Sequence, residues 1–163
     1  MNFENCHDLF LSCKVTTKKL TGGYPMDYKQ MTSPCGLDCF NCSVHQANEN
    51  QELRAMISKR LGVPLEKASC QGCRNENGTI GCLNMTEPCK VYGCIQDKGI
   101  DFCYECKDFP CDHLHPYADM AAERPHNTKV FNLCLIKKMG LESWAETKAA
   151  QVKETYFKHK LSL

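Results

Sequence analysis

The sequence lacks any long apolar run. No segment approaches the roughly 18 consecutive apolar residues that suggest a membrane span. Residues 1–30 also lack the basic start, apolar stretch and small-residue cleavage site of a secretory signal. We therefore expect a soluble, cytoplasmic protein that does not contact a membrane. Because thiols stay reduced in that compartment, disulfide bonds are not expected to hold the fold together.

The chain also carries almost no net charge. Its 20 lysines and arginines nearly balance 19 acidic residues, which gives +1 at pH 7, and only residues 125–163 are basic, with a net charge of +4. Proteins that bind nucleic acid usually carry a larger positive charge, so a nucleic-acid partner is not expected. The sequence contains neither a glycine-rich phosphate loop nor a GxSxG nucleophile motif. These absences favour binding or scaffolding, with an unidentified protein or small molecule as partner, over catalysis.

Cysteine is what the sequence has in excess, with 14 in 163 residues. Eleven of them form four groups, three of which contain the spacing CxxC: Cys35, Cys39 and Cys42; Cys70 and Cys73; Cys82, Cys89 and Cys94; Cys103, Cys106 and Cys111. Two residues between cysteines let the backbone fold tightly, so that both sulfurs reach one ion at about 2.3 Å. Zinc completes its shell with four such ligands. The spacing therefore predicts zinc ligation by these eleven cysteines.

The number of cysteines limits the number of sites. Eleven thiols supply two four-ligand zinc sites and leave three thiols over, so a third site needs one more ligand. Chemically suitable residues for that position are His45, His113, His115, Cys134, and the cysteines of the amino-terminal extension, Cys6 and Cys13. We predict two or three zinc ions and leave open which cysteines share a site. Each ion should join groups that are distant in sequence, because such crosslinks replace the apolar burial that residues 70–111 lack.

Two alternatives remain at this stage. The spacing CxxxCxxC at Cys35–Cys42 is also that of the iron–sulfur loop of radical S-adenosylmethionine enzymes, which would make the protein a redox or radical-chemistry accessory. The residues after Cys42 are too few for the large barrel of those enzymes, and Pro110 precedes Cys111 rather than following it as in ferredoxins. The second alternative is a catalytic zinc ion with one open position, for which Glu105 or Asp38 would act as acid or base.

Apolar periodicity predicts helices around the cysteine-rich centre, at about 49–61, 116–124, 128–139 and 141–157. The first would be capped by Asn48 or Asn50 and would end at Gly62. The predicted fold is mainly α with an irregular, metal-organised cysteine-rich centre, in which short hairpins or knuckles would add a small β component. We divide the chain into a weakly ordered extension, residues 1–34, and a single cysteine-rich metal-binding domain, residues 35–163.

The sequence also combines three longer motifs: Cys35-Gly-Leu-Asp-Cys39-x-x-Cys42, Cys70-x-Gly-Cys73-Arg74, and Phe102-Cys103-x-Glu105-Cys106-x-x-Phe109-Pro110-Cys111. In these motifs, and from about Pro34 to Trp144, the chain resembles a domain-of-unknown-function family of small cysteine-rich prokaryotic proteins, often labelled zinc-binding. The resemblance implies no settled activity, and residues 1–33 lie outside it. It implies metal ligation by Cys35, Cys39, Cys42, Cys70, Cys73, Cys89, Cys94, Cys103, Cys106 and Cys111.

Overall fold

Helices and single helical turns make up the regular structure of residues 26–160, the part of the chain that the computed structural model describes. Within that range there is no strand, only an isolated bridge between Thr32 and Asp38. The helices are α1 (Ser43–Gln46), α2 (Gln51–Leu61), α3 (Lys90–Lys98), α4 (Lys129–Met139), α5 (Leu141–Thr147) and α6 (Ala149–Lys158). The predicted class, mainly α with an irregular cysteine-rich centre, is confirmed.

The first predicted helix is present as α2, and two local signals set its ends. Asn50 Oδ1 accepts a hydrogen bond from the N–H of Leu53 at 3.0 Å, so Asn50 rather than Asn48 is the cap. Gly62 ends the helix in the left-handed conformation, with a φ of +66°. Asn48 instead bonds the carbonyl oxygen of Cys70 at 2.7 Å, and so ties the start of α2 to a cysteine loop.

The predicted helices near the carboxyl end are found, with one interruption. Helix α4 matches the prediction at 128–139 to within a residue. The predicted helix at 141–157 is divided into α5 and α6, because Lys148 departs from helical geometry with φ −124° and ψ −35°. The N–H of Lys148 still donates to the Trp144 carbonyl at 2.9 Å. The two helices therefore follow one another with a break of a single residue.

Residues 116–124 form irregular coil with turns at 119–123, so the helix predicted there is wrong. The Asn127 side chain forms hydrogen bonds with both backbone groups of Tyr117. Its oxygen accepts from the Tyr117 N–H at 3.0 Å, and its nitrogen donates to the Tyr117 carbonyl at 2.9 Å. Met120 adopts a left-handed conformation, with a φ of +53°. Residues other than glycine rarely adopt this conformation, and no helix continues through it.

Apolar side chains are buried in three small clusters. One joins α3 to α4, one lies beneath α2, and one lies where α4, α5 and α6 meet around Trp144. Between residues 70 and 89, by contrast, the only buried residues are Gly72, Gly78 and Cys82. Core packing therefore contributes almost nothing to this central stretch, as the sequence predicted.

Packed structure begins before the predicted boundary at residue 35, since Thr32 and Ser33 are buried. The rest of the predicted extension, residues 1–25 with Cys6 and Cys13, lies outside the described residues, as do residues 161–163. The single-domain assignment of residues 35–163 stays a prediction. No helix between residues 26 and 160 is long and apolar enough to cross a membrane.

Gly36 is a position where we predict a large cost of substitution. It has a φ of +89°, and a Cβ atom there would lie 2.8 Å from the Lys129 carbonyl oxygen and 2.9 Å from Leu133 Cγ. Left-handed strain and overpacking should together lower the free energy of unfolding of Gly36→Ala by about 3 kcal/mol. Gly62→Ala is the matched control: it has positive φ but no atom within 4 Å, and should cost about 1 kcal/mol. Urea denaturation followed by circular dichroism measures both, and equal costs would contradict the prediction.

Candidate metal centre

The first cysteine group lies on a short loop that ends in a 3₁₀ turn. The backbone N–H of Cys39 donates to the Met31 carbonyl at 3.0 Å, and the N–H of Cys42 donates to the Cys39 carbonyl at 2.9 Å. The Ser33 hydroxyl lies 3.2 Å from Cys35 Sγ, within hydrogen-bond distance. These bonds hold the three thiols of the group on one tight stretch of backbone.

The second group packs against the first. Gly72, between Cys70 and Cys73, has a φ of +88°, and a Cβ atom built on it would lie 3.6 Å from the sulfur of Cys39. The N–H of Gly72 donates to Cys70 Sγ at 3.3 Å. Backbone donors of this kind support and tune cysteine ligands in metal sites. Two CxxC segments that are distant in sequence therefore meet, with the Cys39 thiol against the second one.

Cys82 is brought to the second group by a single carboxylate. Glu76 accepts one hydrogen bond from the N–H of Gln71, the residue after Cys70, and a second, at 3.2 Å, from the N–H of Gly81. The 3₁₀ turn that contains Cys82 begins at Gly81. Because both bonds end on one side chain, the two cysteine-bearing loops are held together. No local sequence pattern indicates this role for Glu76.

Cys89 is linked to the second group through the backbone of Gly78. The N–H of Gly78 donates to the Cys73 carbonyl at 2.7 Å, and its carbonyl accepts from the N–H of Cys89 at 3.0 Å. Cys89 also caps α3, since its sulfur accepts from the N–H of Tyr92 at 3.4 Å. Its position is therefore fixed from both sides.

Burial and mutual repulsion raise the pKa of these thiols. Burial is the larger cause: it raises the pKa of Cys70 and of Cys73 to about 12, and raises the pKa of Cys39 and Cys82 above the ordinary value. Repulsion between neighbouring thiols then adds to it in each case. We call the seven cysteines that interact in this way the thiol cluster: Cys35, Cys39, Cys42, Cys70, Cys73, Cys82 and Cys89. A cation that binds such thiols displaces their protons.

The remaining four cysteines of the predicted set line a separate cleft beside α3. We call it the thiol cleft, and its sulfur-bearing residues are Cys94, Cys103, Cys106 and Cys111. His113 lines the same cleft, as do several apolar residues of α3 and the following loop. Burial raises the pKa of Cys103 to about 12, and repulsion from Cys35 and the other cleft thiols adds to it.

Lys98 places a positive charge at the edge of the thiol cleft. Its Nζ donates to Cys106 Sγ at 2.9 Å and forms an ion pair of the same length with Asp108. The N–H of Asp108 also donates to Cys106 Sγ, at 3.4 Å. The bonds to Cys106 and Asp108 raise the pKa of Lys98, so the lysine is charged at neutral pH.

Arg74 ties the thiol cluster to the loop that precedes the thiol cleft. Its Nε donates to the Thr32 carbonyl at 2.9 Å, and its Nη2 donates to the Asp101 carbonyl at 2.6 Å. The guanidinium also lies 4.8 Å from the ring centre of Phe102. Near it, the N–H of Cys103 donates to the Pro34 carbonyl at 3.0 Å. The two thiol groups are therefore neighbours.

The additional ligands that the sequence offered differ in where they lie. His113 lines the thiol cleft, whereas Cys134 is exposed on α4. His115 is exposed and pairs with Asp112 at 3.2 Å. His45 is partly buried, which lowers the pKa of its imidazole. Of these four, His113 lines the thiol cleft, whereas His45 is an electrostatic neighbour of Glu76, the carboxylate that joins the loops of Cys70 and Cys82.

Both candidate acid–base residues have structural partners. The Glu105 carboxylate accepts from the N–H groups of Asp101 and Phe102, each at 3.2 Å. Asp38 is buried, which raises the pKa of its carboxyl, and it accepts from the Asn41 side chain at 2.8 Å. Both carboxylates are already engaged in hydrogen bonds with neighbouring residues, so their arrangement does not favour the catalytic alternative.

Every cysteine between residues 26 and 160 is a free thiol. In the same range, no group of three or more histidine, cysteine, aspartate or glutamate side chains is assembled in a form that could hold a metal ion. The structure thus brings all eleven predicted ligands into two adjacent groups but does not show them closed around an ion. Their ligand roles stay predictions.

The fold and the thiol groups define a small, mainly helical, cysteine-rich protein. A model of a family of proteins of unknown function, DUF3795, matches residues 31–116, more than half of the chain, and the protein belongs to that family. The match contains all eleven cysteines of the thiol cluster and the thiol cleft, and it ends before α4. No curated protein and no solved structure matches the chain.

Proposed function

We propose that the protein binds zinc through the thiol cluster and the thiol cleft, and that the bound ions have a structural role in a binding or scaffolding protein. The observation that carries the proposal is the meeting of four cysteine groups, spread over residues 35–111, in two adjacent places. Thiolates are the ligands that closed zinc sites prefer. Rotation of the cysteine side chains would have to close each group around its ion.

The poor packing of the centre supports a structural role for the ions. Residues 70–89 bury two glycines and one cysteine, and no larger side chain. Structural zinc contributes folding free energy directly, about 10–16 kcal/mol in zinc-finger peptides. A stretch with so little apolar burial gains most from such crosslinks.

The charges near the sulfurs also support the proposal. Four thiolates outweigh the charge of one zinc ion, so a filled site is negative and gains from a nearby cation. Lys98 supplies one at the thiol cleft, where it bonds Cys106. Arg74 acts electrostatically on Cys73, and Arg124 on Cys82. Each thiol group therefore has a basic side chain beside it.

An iron–sulfur cluster is the second candidate, because the same N–H donors to Cys70, Cys89 and Cys106 would suit its cysteine ligands. It would imply a redox or radical-chemistry accessory role. Purification without oxygen separates the two candidates. Zinc in a colourless protein is expected, whereas a brown protein containing iron and acid-labile sulfide would replace our proposal with the second.

Metal analysis of two cysteine variants tests the zinc proposal. We expect about two or three zinc ions per chain in the unmodified protein. Cys73→Ser should hold at least one ion fewer, because its thiol is an electrostatic neighbour of Cys35 and Cys89 in the thiol cluster. Cys134→Ser, an exposed thiol on α4, is the matched control and should keep the full content. Zinc-free protein from a zinc-supplemented culture, or equal loss in both variants, would contradict the proposal.

A further inference from the structure

The eleven clustered thiols do not divide evenly among four-coordinate ions. Three such ions need about twelve ligand positions, whereas the thiol cluster and the thiol cleft together contain eleven cysteines. A histidine can fill the twelfth position, or one thiolate can ligate two ions at once. Ligation by a histidine, such as His45 near Glu76, would leave the ions unbridged, so the cadmium experiment below distinguishes the two solutions.

The thiol cleft accounts for one ion by itself. It contains four sulfurs, from Cys94 on α3 and from Cys103, Cys106 and Cys111 on the following loop. Four thiols complete a tetrahedral shell, so His113 is not needed as a ligand there. The seven cysteines of the thiol cluster then remain for the other ions. Seven is one fewer than two separate shells require.

The thiol cluster has two sides that are held by different hydrogen bonds. On one side, Gly78 joins Cys73 to Cys89 through bonds of 2.7 and 3.0 Å. We assign Cys35 to this side, because Cys35 and Cys89 pack against the same apolar cluster, which also contains Cys103 of the thiol cleft. Cys35 is also an electrostatic neighbour of Cys73.

On the other side, Glu76 joins the loops of Cys70 and Cys82. Cys42 belongs here, because α1 follows it directly and the N–H of Cys70 donates to the Val44 carbonyl of α1 at 3.2 Å. Cys42, Cys70 and Cys82 therefore form a second set of three. Each set lacks one ligand for a tetrahedral shell.

Cys39 lies between the two sets. Its sulfur would lie 3.6 Å from a Cβ atom built on Gly72. In the sequence, Gly72 lies between Cys70 of one set and Cys73 of the other. We propose that the thiol cluster holds two ions that share Cys39 as a bridging thiolate, one completed by Cys35, Cys73 and Cys89 and the other by Cys42, Cys70 and Cys82. The third ion lies alone in the thiol cleft. Both conclusions rest on the proposed function, since they require that the thiols bind metal.

The basic residues fit this division. Arg74 acts on Cys73, in the first set, and Arg124 acts on Cys82, in the second. Two divalent ions with seven thiolate ligands carry a net charge of about −3. One arginine beside each half offsets part of that charge.

Cadmium-113 substitution tests the bridge directly. We expect the protein loaded with ¹¹³Cd²⁺ to show three resonances in the range of all-thiolate coordination. Two of them should be joined by a cadmium–cadmium scalar coupling through the sulfur of Cys39, and the third should be uncoupled. In Cys111→Ser the uncoupled resonance alone should shift, because that residue belongs to the thiol cleft. In Cys39→Ser the coupling should disappear.

The cadmium–cadmium coupling is measured in the unmodified protein, so the test does not depend on whether the Cys39 variant folds. Three resonances without coupling, or coupling to the resonance that Cys111→Ser shifts, would overturn the bridge and leave the proposed function intact. Failure to bind cadmium or zinc at all would overturn the proposed function. The two failures are therefore distinguishable.

Discussion

Removal of the metal is expected to unfold the centre of the protein and to leave the carboxyl-terminal helices in place. Residues 70–89 bury almost no apolar surface, so nothing replaces the crosslinks when the ions leave. The expected loss is about 10 kcal/mol or more, comparable with the 5–15 kcal/mol net stability of a typical domain. After chelation under reducing, oxygen-free conditions, limited proteolysis should cut first within residues 70–111.

The only tryptophan gives an internal control for this experiment. Trp144 is fully buried between α4, α5 and α6, in a cluster that contains no cysteine. Its fluorescence should therefore keep the character of a buried indole after chelation, while helical signal from α3 is lost. Readdition of zinc should restore protease resistance. Circular dichroism and protease resistance that do not change on chelation would refute a structural role for the metal.

Local signals explain which helices could be predicted from sequence. Helix α2 is bounded by Asn50 and Gly62, a cap and a left-handed glycine whose effects depend only on neighbouring residues. Helix α4 similarly ends at Gly140. The effects of such features do not depend on the rest of the chain. The predicted bounds of α2 and α4 are therefore accurate to about two residues.

Nonlocal contacts and short length explain the errors. A helix was wrongly predicted at 116–124. The Asn127 side chain forms hydrogen bonds with the backbone N–H and carbonyl of Tyr117 instead. The missed helix α3 has only nine residues, and its apolar face consists mainly of Val91 and Ile95. The many cysteines around this helix made its apolar pattern hard to recognise in the sequence. Gly99, with a φ of +62°, does mark the end of the helix.

The spacing of the cysteines predicts which thiols are candidate ligands but not how they are grouped. CxxC places two sulfurs together, and it contains no information on which other pair they meet. Here the meeting of distant groups depends on Glu76, on Arg74 and on the contact between Gly72 and Cys39. These are contacts between residues that no local pattern connects, so only the folded arrangement reveals them.

Trp144→Ala is expected to have the largest effect among substitutions outside the thiol groups. The side chain is fully buried and meets the Phe40 ring edge-to-face, with the ring centres 5.9 Å apart. Truncation of a buried tryptophan costs about 3–5 kcal/mol, through lost contacts and the cavity that remains. The zinc content should not change, because the apolar cluster around this indole contains no cysteine. Urea denaturation of the zinc-loaded variant measures the cost.

Trp144→Phe is the matched variant, because it keeps an aromatic ring against Phe40 and removes the indole N–H. Among residues 26–160 that N–H has no hydrogen-bond partner, so its removal leaves no acceptor unsatisfied. The phenylalanine variant should therefore cost only about 1–2 kcal/mol, through lost volume alone. If the alanine variant also lost zinc, the helical cluster and the thiol groups would be one cooperative unit. The chelation experiment assumes that α4, α5 and α6 stay folded when the metal is removed. Loss of zinc from the alanine variant would contradict that assumption, since the ions would then stabilise these helices as well as the centre.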